Sequence, residues 1–224
     1  MPYQLNDFQL ENRVTACRLN LRMLQDDSTL LQKTVTIDET WVSLYMAPDR
    51  NQQRSWAYPG EEVERTTAEN IHGNKRLLIM AMDWDGICFW QLLPPKTTVN
   101  WQVYKKFLVE YLPNWISRNN HLRPWLLHDN ARPHVHKEIK EFLAKKGITV
   151  WTHPPYSPDI SPLDFCCFGQ LKRSLIGIHH GYCTQFESAL DSAVSDLNAR
   201  EVMYGVTSLE SRWKRVIEQE GAYL

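Results

Sequence analysis

Residues 125–175 read WLLHDNARPHVHKEIKEFLAKKGITVWTHPPYSPDISPLDFCCFGQLKRSL, and the fold is decided there. The stretch opens on a short apolar run, Trp125-Leu126-Leu127, that stops at His128-Asp129-Asn130. Val135, Ile139, Phe142 and Leu143 then recur along one helical face, and Gly147 stands where a left-handed residue would end that helix. Ile148, Thr149, Val150 and Trp151 make a second strand, and a proline-rich loop leads to a further helix holding Asp164. Such a strand–helix–strand unit brings polar groups at the carboxyl ends of its strands to the sheet edge where ligands bind. Asp129 stands at one of those ends, and 34 residues separate it from Asp164.

Upstream, residues 33–46 are dominated by β-branched and aromatic side chains and form one or two strands, with Asp38 inside the first. Propensity disfavours an aspartate within a strand, so its carboxylate calls for solvent or a cation. Asn6 is placed to cap an N-terminal helix, with Gln9 in the capping-box position and Val14, Cys17, Leu21 and Leu24 as its apolar face. Residues 47–74 are polar and aperiodic, with Trp56 and Tyr58 standing in them, and a loop that long is usually functional or mobile. Strands at 76–82 and 87–93 flank Asp83-Trp84-Asp85-Gly86, a hairpin signal in which turn chemistry explains both aspartates. Trp101, Tyr104, Phe107, Leu108, Tyr111 and Leu112 mark an amphipathic helix. Downstream, Thr184 and Glu187 make a capping box ahead of Phe186, Leu190, Val194 and Leu197, and Leu209, Trp213 and Val216 define a last helix. Strands first and alternating units later indicate an α/β fold of one domain.

With 43% hydrophobic residues, the 224-residue chain can bury an ordinary core. It has no apolar run long enough for a membrane span and no signal peptide pattern, so a soluble intracellular protein is expected. Five cysteines (Cys17, Cys88, Cys166, Cys167 and Cys183) without paired spacing argue against a disulfide framework or a structural zinc site. His179, His180 and Cys183 are the weak exception, and reduced thiols are the better reading. The formal net charge of −1 tells against nucleic-acid binding, which draws mostly on Lys and Arg, unless bound cations offset the carboxylates locally.

HDNARPH followed by HPPYSPDISPLDF resembles the catalytic core of mariner-family DNA transposases, which carry two aspartates with this same separation. Asp38-Glu39-Thr40-Trp41 is similar to that family's upstream acidic motif, and Pro2-Tyr3-Gln4-Leu5 to its linker motif. The resemblance covers nearly the whole chain. It implies a ribonuclease-H-like mixed sheet flanked by helices, with residues 1–30 as linker and N-terminal helix and 47–74 as a loop insertion. It also implies a helix-turn-helix DNA-binding module upstream, so the chain is expected to be a catalytic domain without it. By the same resemblance the protein is expected to be nuclear, to form a homodimer in the full-length complex (the state of this chain alone being left open), and to cleave transposon-end DNA before joining the 3′-hydroxyl to target DNA. A domesticated or decayed domain acting as a DNA-binding or interaction module is the alternative.

Phosphodiester chemistry of this kind uses two divalent ions about 3.5–4 Å apart, held by oxygen ligands. Mg²⁺ or Mn²⁺ suits carboxylates, and three converging carboxylates without cations would repel one another. The resemblance assigns Asp38 and Asp129 to one ion and Asp38 and Asp164 to the other. Each has a plainer explanation. Asp164 falls at the third helical position after Ser161 as cap and Pro162, where helix polarity alone favours an acid. Asp129 could cap the helix near Pro133. Asp38 has no such explanation. Among the neighbours, Glu39, His128, Asn130 and His134 are supporting candidates. Arg132, Lys172 and Arg173 are placed to meet DNA phosphates, with surface ion pairs as the plainer alternative. Trp41 could stack on an unpaired base or pack in the core. Cys166-Cys167 departs from the family's usual wording after the third aspartate, which leaves no helper histidine there.

Overall fold

The computed structural model describes residues 4–43, 75–176, 183–200 and 204–224. The loop of residues 47–74, the first linker residues, His179 and His180, and the side chains of Cys183 and Thr184 lie outside the described residues. Helix α1 (Asp7–Asp26) starts on the expected capping box, Asn6 and Gln9 each accepting the other's backbone N–H at 2.9 Å. Its buried stripe is less apolar than its sequence suggests. Cys17 and Leu24 are buried, but so are Arg13 and Asn20.

A 3-10 turn, Leu30–Lys33, feeds β1 (Thr34–Ser43), a single strand. Strands β2 (Lys75–Asp83) and β3 (Gly86–Leu92) form the expected hairpin. Asp83 accepts the Asp85 N–H at 3.0 Å and Gly86 takes φ 128°, so both aspartates serve the turn. Asn100 caps α2 (Trp101–Arg118) through the Val103 N–H, and the stripe from Tyr104 to Leu112, extended by Trp115, is buried as expected.

The decisive unit is β4 (Trp125–Leu127), α3 (Lys137–Lys146) and β5 (Thr149–Val150). Its helix begins later than the apolar spacing suggests. The His134 and Val135 N–H groups both turn back to the Ala131 carbonyl, so His136 becomes the N-cap and Val135 stays 36% exposed. Gly147 ends α3 at φ 66°, a left-handed conformation that glycine adopts without steric cost. The strand expected at 148–151 is only two residues long, although the Trp151 N–H still bonds the Leu126 carbonyl at 2.9 Å. The helix holding Asp164 is also different. It opens as a π-helical turn, Leu163–Phe168, and continues as α4 (Gly169–Ser174).

The sheet order is β3-β2-β1-β4-β5, with β1 antiparallel to β2 and parallel to β4. Strand β1 is therefore central and gripped on both faces. One face carries Ile37, Ile79 and Leu126 against Phe107 of α2 and Ile139 of α3. The other carries Val42, Met80 and Leu127 against the π turn, α5 (Cys183–Ala199) and α6 (Leu209–Glu218), through Cys167, Leu190 and Trp213. Each fully buried Leu or Phe in these layers contributes about 1.5–3 kcal/mol, and together they immobilise the strand that bears Asp38.

Candidate active site

Thr34, Val35 and Thr36 of β1 stand opposite Trp125, Leu126 and Leu127 of β4. Two residues beyond the last of these pairs come Asp38 on one strand and Asp129 on the other. Because side chains alternate along strands, parallel register sets both carboxylates on the face that carries Leu127. Asp164 comes from the third side, on the π turn that packs against β1. The three candidate aspartates thus converge from a central strand, a strand end and a helix start.

Asp38 is held by neutral donors: the Glu39 N–H reaches one carboxylate oxygen at 2.8 Å and the Ser161 hydroxyl the other at 3.0 Å. Ser161 is therefore not the helix cap that its position suggests; its hydroxyl donates to Asp38. Burial pushes the Asp38 carboxyl well above the usual range, and the charges of Asp164, Glu39 and Asp129 push it further. Burial also raises Asp164, against hydrogen bonds from Asp38 and Ser161 and the charge of Lys172, which lower it. Asp129 behaves differently. Burial would raise it, but the hydrogen bonds from His134 and the Ala131 N–H prevail and hold it low.

His134 is the pivot of the supporting groups. Its side chain is 1% exposed, and its two ring nitrogens contact Asp129 at 2.6 Å and Glu39 at 3.0 Å. Burial opposes its charge, yet the two carboxylates carry its pKa up to about 10, so it is an imidazolium donating to both. Asp129 also accepts the Ala131 N–H at 2.9 Å, closing a turn rather than capping α3. His128 does not bond Asp129; its Nδ1 lies 2.8 Å from the Tyr104 hydroxyl and its ring stacks on His134 with centroids 5.1 Å apart. Burial keeps His128 neutral, with its pKa lowered to about 3. Asn130 donates to the His153 carbonyl, which ties the end of β4 to the proline loop.

The candidate DNA contacts divide. Lys172 lies near enough to lower the Asp164 pKa, whereas Arg173 and Arg132 are exposed. Trp41 is 47% exposed and, three positions from Asp38 on the same strand, points to the opposite face of the sheet. Sequence reasoning missed Ser161 as a partner of Asp38, Tyr104 as the support of His128, and Arg13. Tyr104 reads as one more apolar stripe residue. Arg13 leaves a signal, an arginine one turn before Cys17 on the packed face of α1.

Among the described residues no group of three His, Cys, Asp or Glu side chains is placed to hold a metal ion by itself. An open oxygen site needs no such group, since hard divalent ions keep several waters and bind through one or two carboxylates each. The donor set fits such ions: a buried carboxylate that accepts from a backbone N–H and a hydroxyl and is crowded by three other acids is stabilised by a nearby cation. Four described cysteines, Cys17, Cys88, Cys166 and Cys167, are free thiols, and burial raises each above its ordinary pKa.

Known proteins share the fold. The Mos1 mariner transposase of Drosophila mauritiana is 27% identical over 231 residues, covering 100% of this chain and 65% of that protein. Human histone-lysine N-methyltransferase SETMAR is 27% identical over 227 residues, covering 100% of this chain and 33% of that protein. The crystal structure of the Mos1 paired end complex with Mn matches with a TM-score of 0.85 at 27% identity, over 100% of this chain and 66% of that chain. The chain thus spans just under two thirds of the transposase and a third of SETMAR. The five-stranded mixed sheet flanked by helices is the ribonuclease-H-like fold of that catalytic core. A family model described as DDE superfamily endonuclease matches residues 33–182, a span that holds β1, β4 and the π turn with all three aspartates. On that match, and with these carboxylates converging on one sheet edge, the chain belongs to the DDE superfamily endonucleases.

Proposed function

We propose that this chain is, as a single domain, the catalytic part of a mariner-like DNA transposase, which cleaves DNA at transposon ends and joins the freed 3′-hydroxyl to target DNA. The observation that carries the reading is the meeting of Asp38, Asp129 and Asp164 by strand register and the Ser161 hydrogen bond. Asp38 and Asp129 would hold one divalent cation, Mg²⁺ or Mn²⁺, and Asp38 and Asp164 a second. When bound, such a pair supplies an activated nucleophile and charge stabilisation at both the attacking and leaving oxygens. The protein's own share is positioning. His134 keeps Asp129 ionised and aimed, the Ser161 hydroxyl fixes one oxygen of Asp38, and Glu39 anchors His134 from the other side of β1.

Lys172, Arg173 and Arg132 supply positive charge for the DNA backbone, and Trp41 a stacking surface on the far side of the sheet. The net charge of −1 is compatible with DNA because the cations offset the acids at the site itself. Paired-end complexes of Mos1, one with the left transposon end, support transposon-end DNA as the partner; a homodimer would bring two such ends together, and a DNA substrate fits action in the nucleus. The match to SETMAR favours a second reading, a domain retained for DNA binding within another protein. The presence of all three aspartates favours the catalytic one.

The test is Mn²⁺-dependent nicking of supercoiled plasmid by the wild-type chain and by Asp129→Asn. The catalytic reading expects nicking that falls by at least about 100-fold in the variant, the loss typical of removing a group that stabilises developing charge. Equal nicking by both proteins would refute the assignment. Salt-sensitive DNA binding that survives in a variant without nicking, alongside an inert wild type, would favour the second reading.

A further inference from the structure

Arg13 is a fully buried arginine on α1, a helix that carries none of the proposed site residues. Its Nε donates to the Gly221 carbonyl at 2.7 Å. Its two terminal nitrogens grip Asp159 at 2.8 and 2.6 Å, and they also reach the Ser157 hydroxyl at 2.7 Å and the Ala222 carbonyl at 3.2 Å. Asp159 in turn accepts the Leu224 N–H at 3.1 Å. From the other side, Arg212 donates to the Asp159 carbonyl at 2.7 Å and lies 3.6 Å above the ring of Phe165. One carboxylate therefore joins α1, the proline loop and the C-terminal segment.

The loop it holds leads directly to the proposed site. The Ile160 N–H bonds the Ser157 carbonyl and the Ser161 N–H the Pro158 carbonyl, both at 3.2 Å. The Asp164 and Phe165 N–H groups both bond the Ser161 carbonyl, at 3.0 and 3.1 Å. Ile160 is 1% exposed, so the turn is pinned into the core as well. From Asp159 to Asp164 the chain thus has little slack, and a shift at Asp159 is passed to the Ser161 hydroxyl on Asp38 and to Asp164 itself.

We infer that Arg13 and Asp159 are positioning residues that set where Ser161 and Asp164 stand relative to Asp38, and so govern how tightly the carboxylates hold divalent cations. This inference rests on the metal-site reading above. A bidentate Arg–carboxylate pair suits the task because its two parallel hydrogen bonds fix orientation as well as distance.

The experiment titrates Mn²⁺ alone into the 224-residue chain, reading free Mn²⁺ by electron paramagnetic resonance, for wild type, Asp159→Asn, Arg13→Lys and Arg212→Gln. Circular dichroism and thermal melts select the variants that remain folded. Folded Asp159→Asn or Arg13→Lys is expected to bind Mn²⁺ about 10-fold more weakly, the lower end of what supporting groups around metal sites usually contribute. Where both fail to fold, Arg212→Gln, at a partly buried position, is expected to show a smaller weakening in the same direction. Adding Ser161→Ala to Asp159→Asn should cost less than the two single losses combined, because both act in part through the Ser161–Asp38 contact. Unchanged Mn²⁺ affinity in folded variants overturns the positioning role and makes the pair a fold staple only. A wild-type chain that binds no Mn²⁺ overturns the metal-site reading itself, a different failure.

Discussion

His153 gives the sharpest quantitative test of how this structure holds its proline loop. It is buried just before that loop, and burial carries its pKa down from 6.5 to about 4; the Arg13 charge lowers it further, while Asp129 and Asp159 oppose. The unfolded chain takes up a proton at this histidine near pH 6.5, and the folded chain resists until about pH 4. Folding stability from keeping His153 neutral is therefore intact above about pH 6.5 and is lost as the pH falls from there toward 4. With these two values, lowering the pH from 7 to 5 costs about 1.8 kcal/mol from this residue alone. The perturbation is His153→Gln, which stays neutral in both states. Urea unfolding at pH 7, 6 and 5 in EDTA measures both proteins, and the wild type should lose about 1.8 kcal/mol more than the variant over that range. Comparison of the two slopes cancels the other groups that titrate there, including His128 and the raised acids Asp38 and Asp164. Parallel slopes would refute the reasoning, because they would mean that His153 is hydrated or protonated in the folded protein.

Two further predictions follow from charge and from packing. Asp38→Asn removes a buried carboxylate crowded by three acids, so in EDTA the variant should melt a few degrees higher than wild type, roughly 1 kcal/mol, and lose the further rise that Mn²⁺ gives the wild type; a lower melting point in EDTA would contradict it. Gly221→Ala should destabilise the fold by about 1–3 kcal/mol in urea unfolding, since Gly221 sits at φ 91° and a Cβ there would collide with the Leu10 carbonyl of α1. A neutral Gly221→Ala would mean that the C-terminal segment does not pack on α1 as described.

What could be read early was whatever the chain signals locally. The Asn6–Gln9 box, the Asp83–Gly86 turn and the α2 stripe involve residues a few positions apart, and each formed where its pattern predicted. The start of α3 was misplaced for a local reason too. Apolar spacing carried it back to Val135, but the turn around Ala131 claimed those backbone donors first. The π turn at Leu163–Phe168 has no pattern that distinguishes it from an α-helix, and we have no physical account of why the helix opens that way.

The sequence by itself determined the identity and order of the three aspartates, the strand–helix–strand unit between two of them, and the central strand that bears the first, because motif spacing and hydrophobic period are local properties. Only the tertiary structure decided which polar groups serve them. His134 joins Glu39 across 95 positions, Ser161 reaches Asp38 across 123, and Arg13 holds Asp159 across 146. Those partnerships depend on the parallel register of β1 with β4 and on the layer that α1 and α6 form over the sheet. A buried charge must find its partner wherever packing brings one within reach, and no spacing along the chain records that distance.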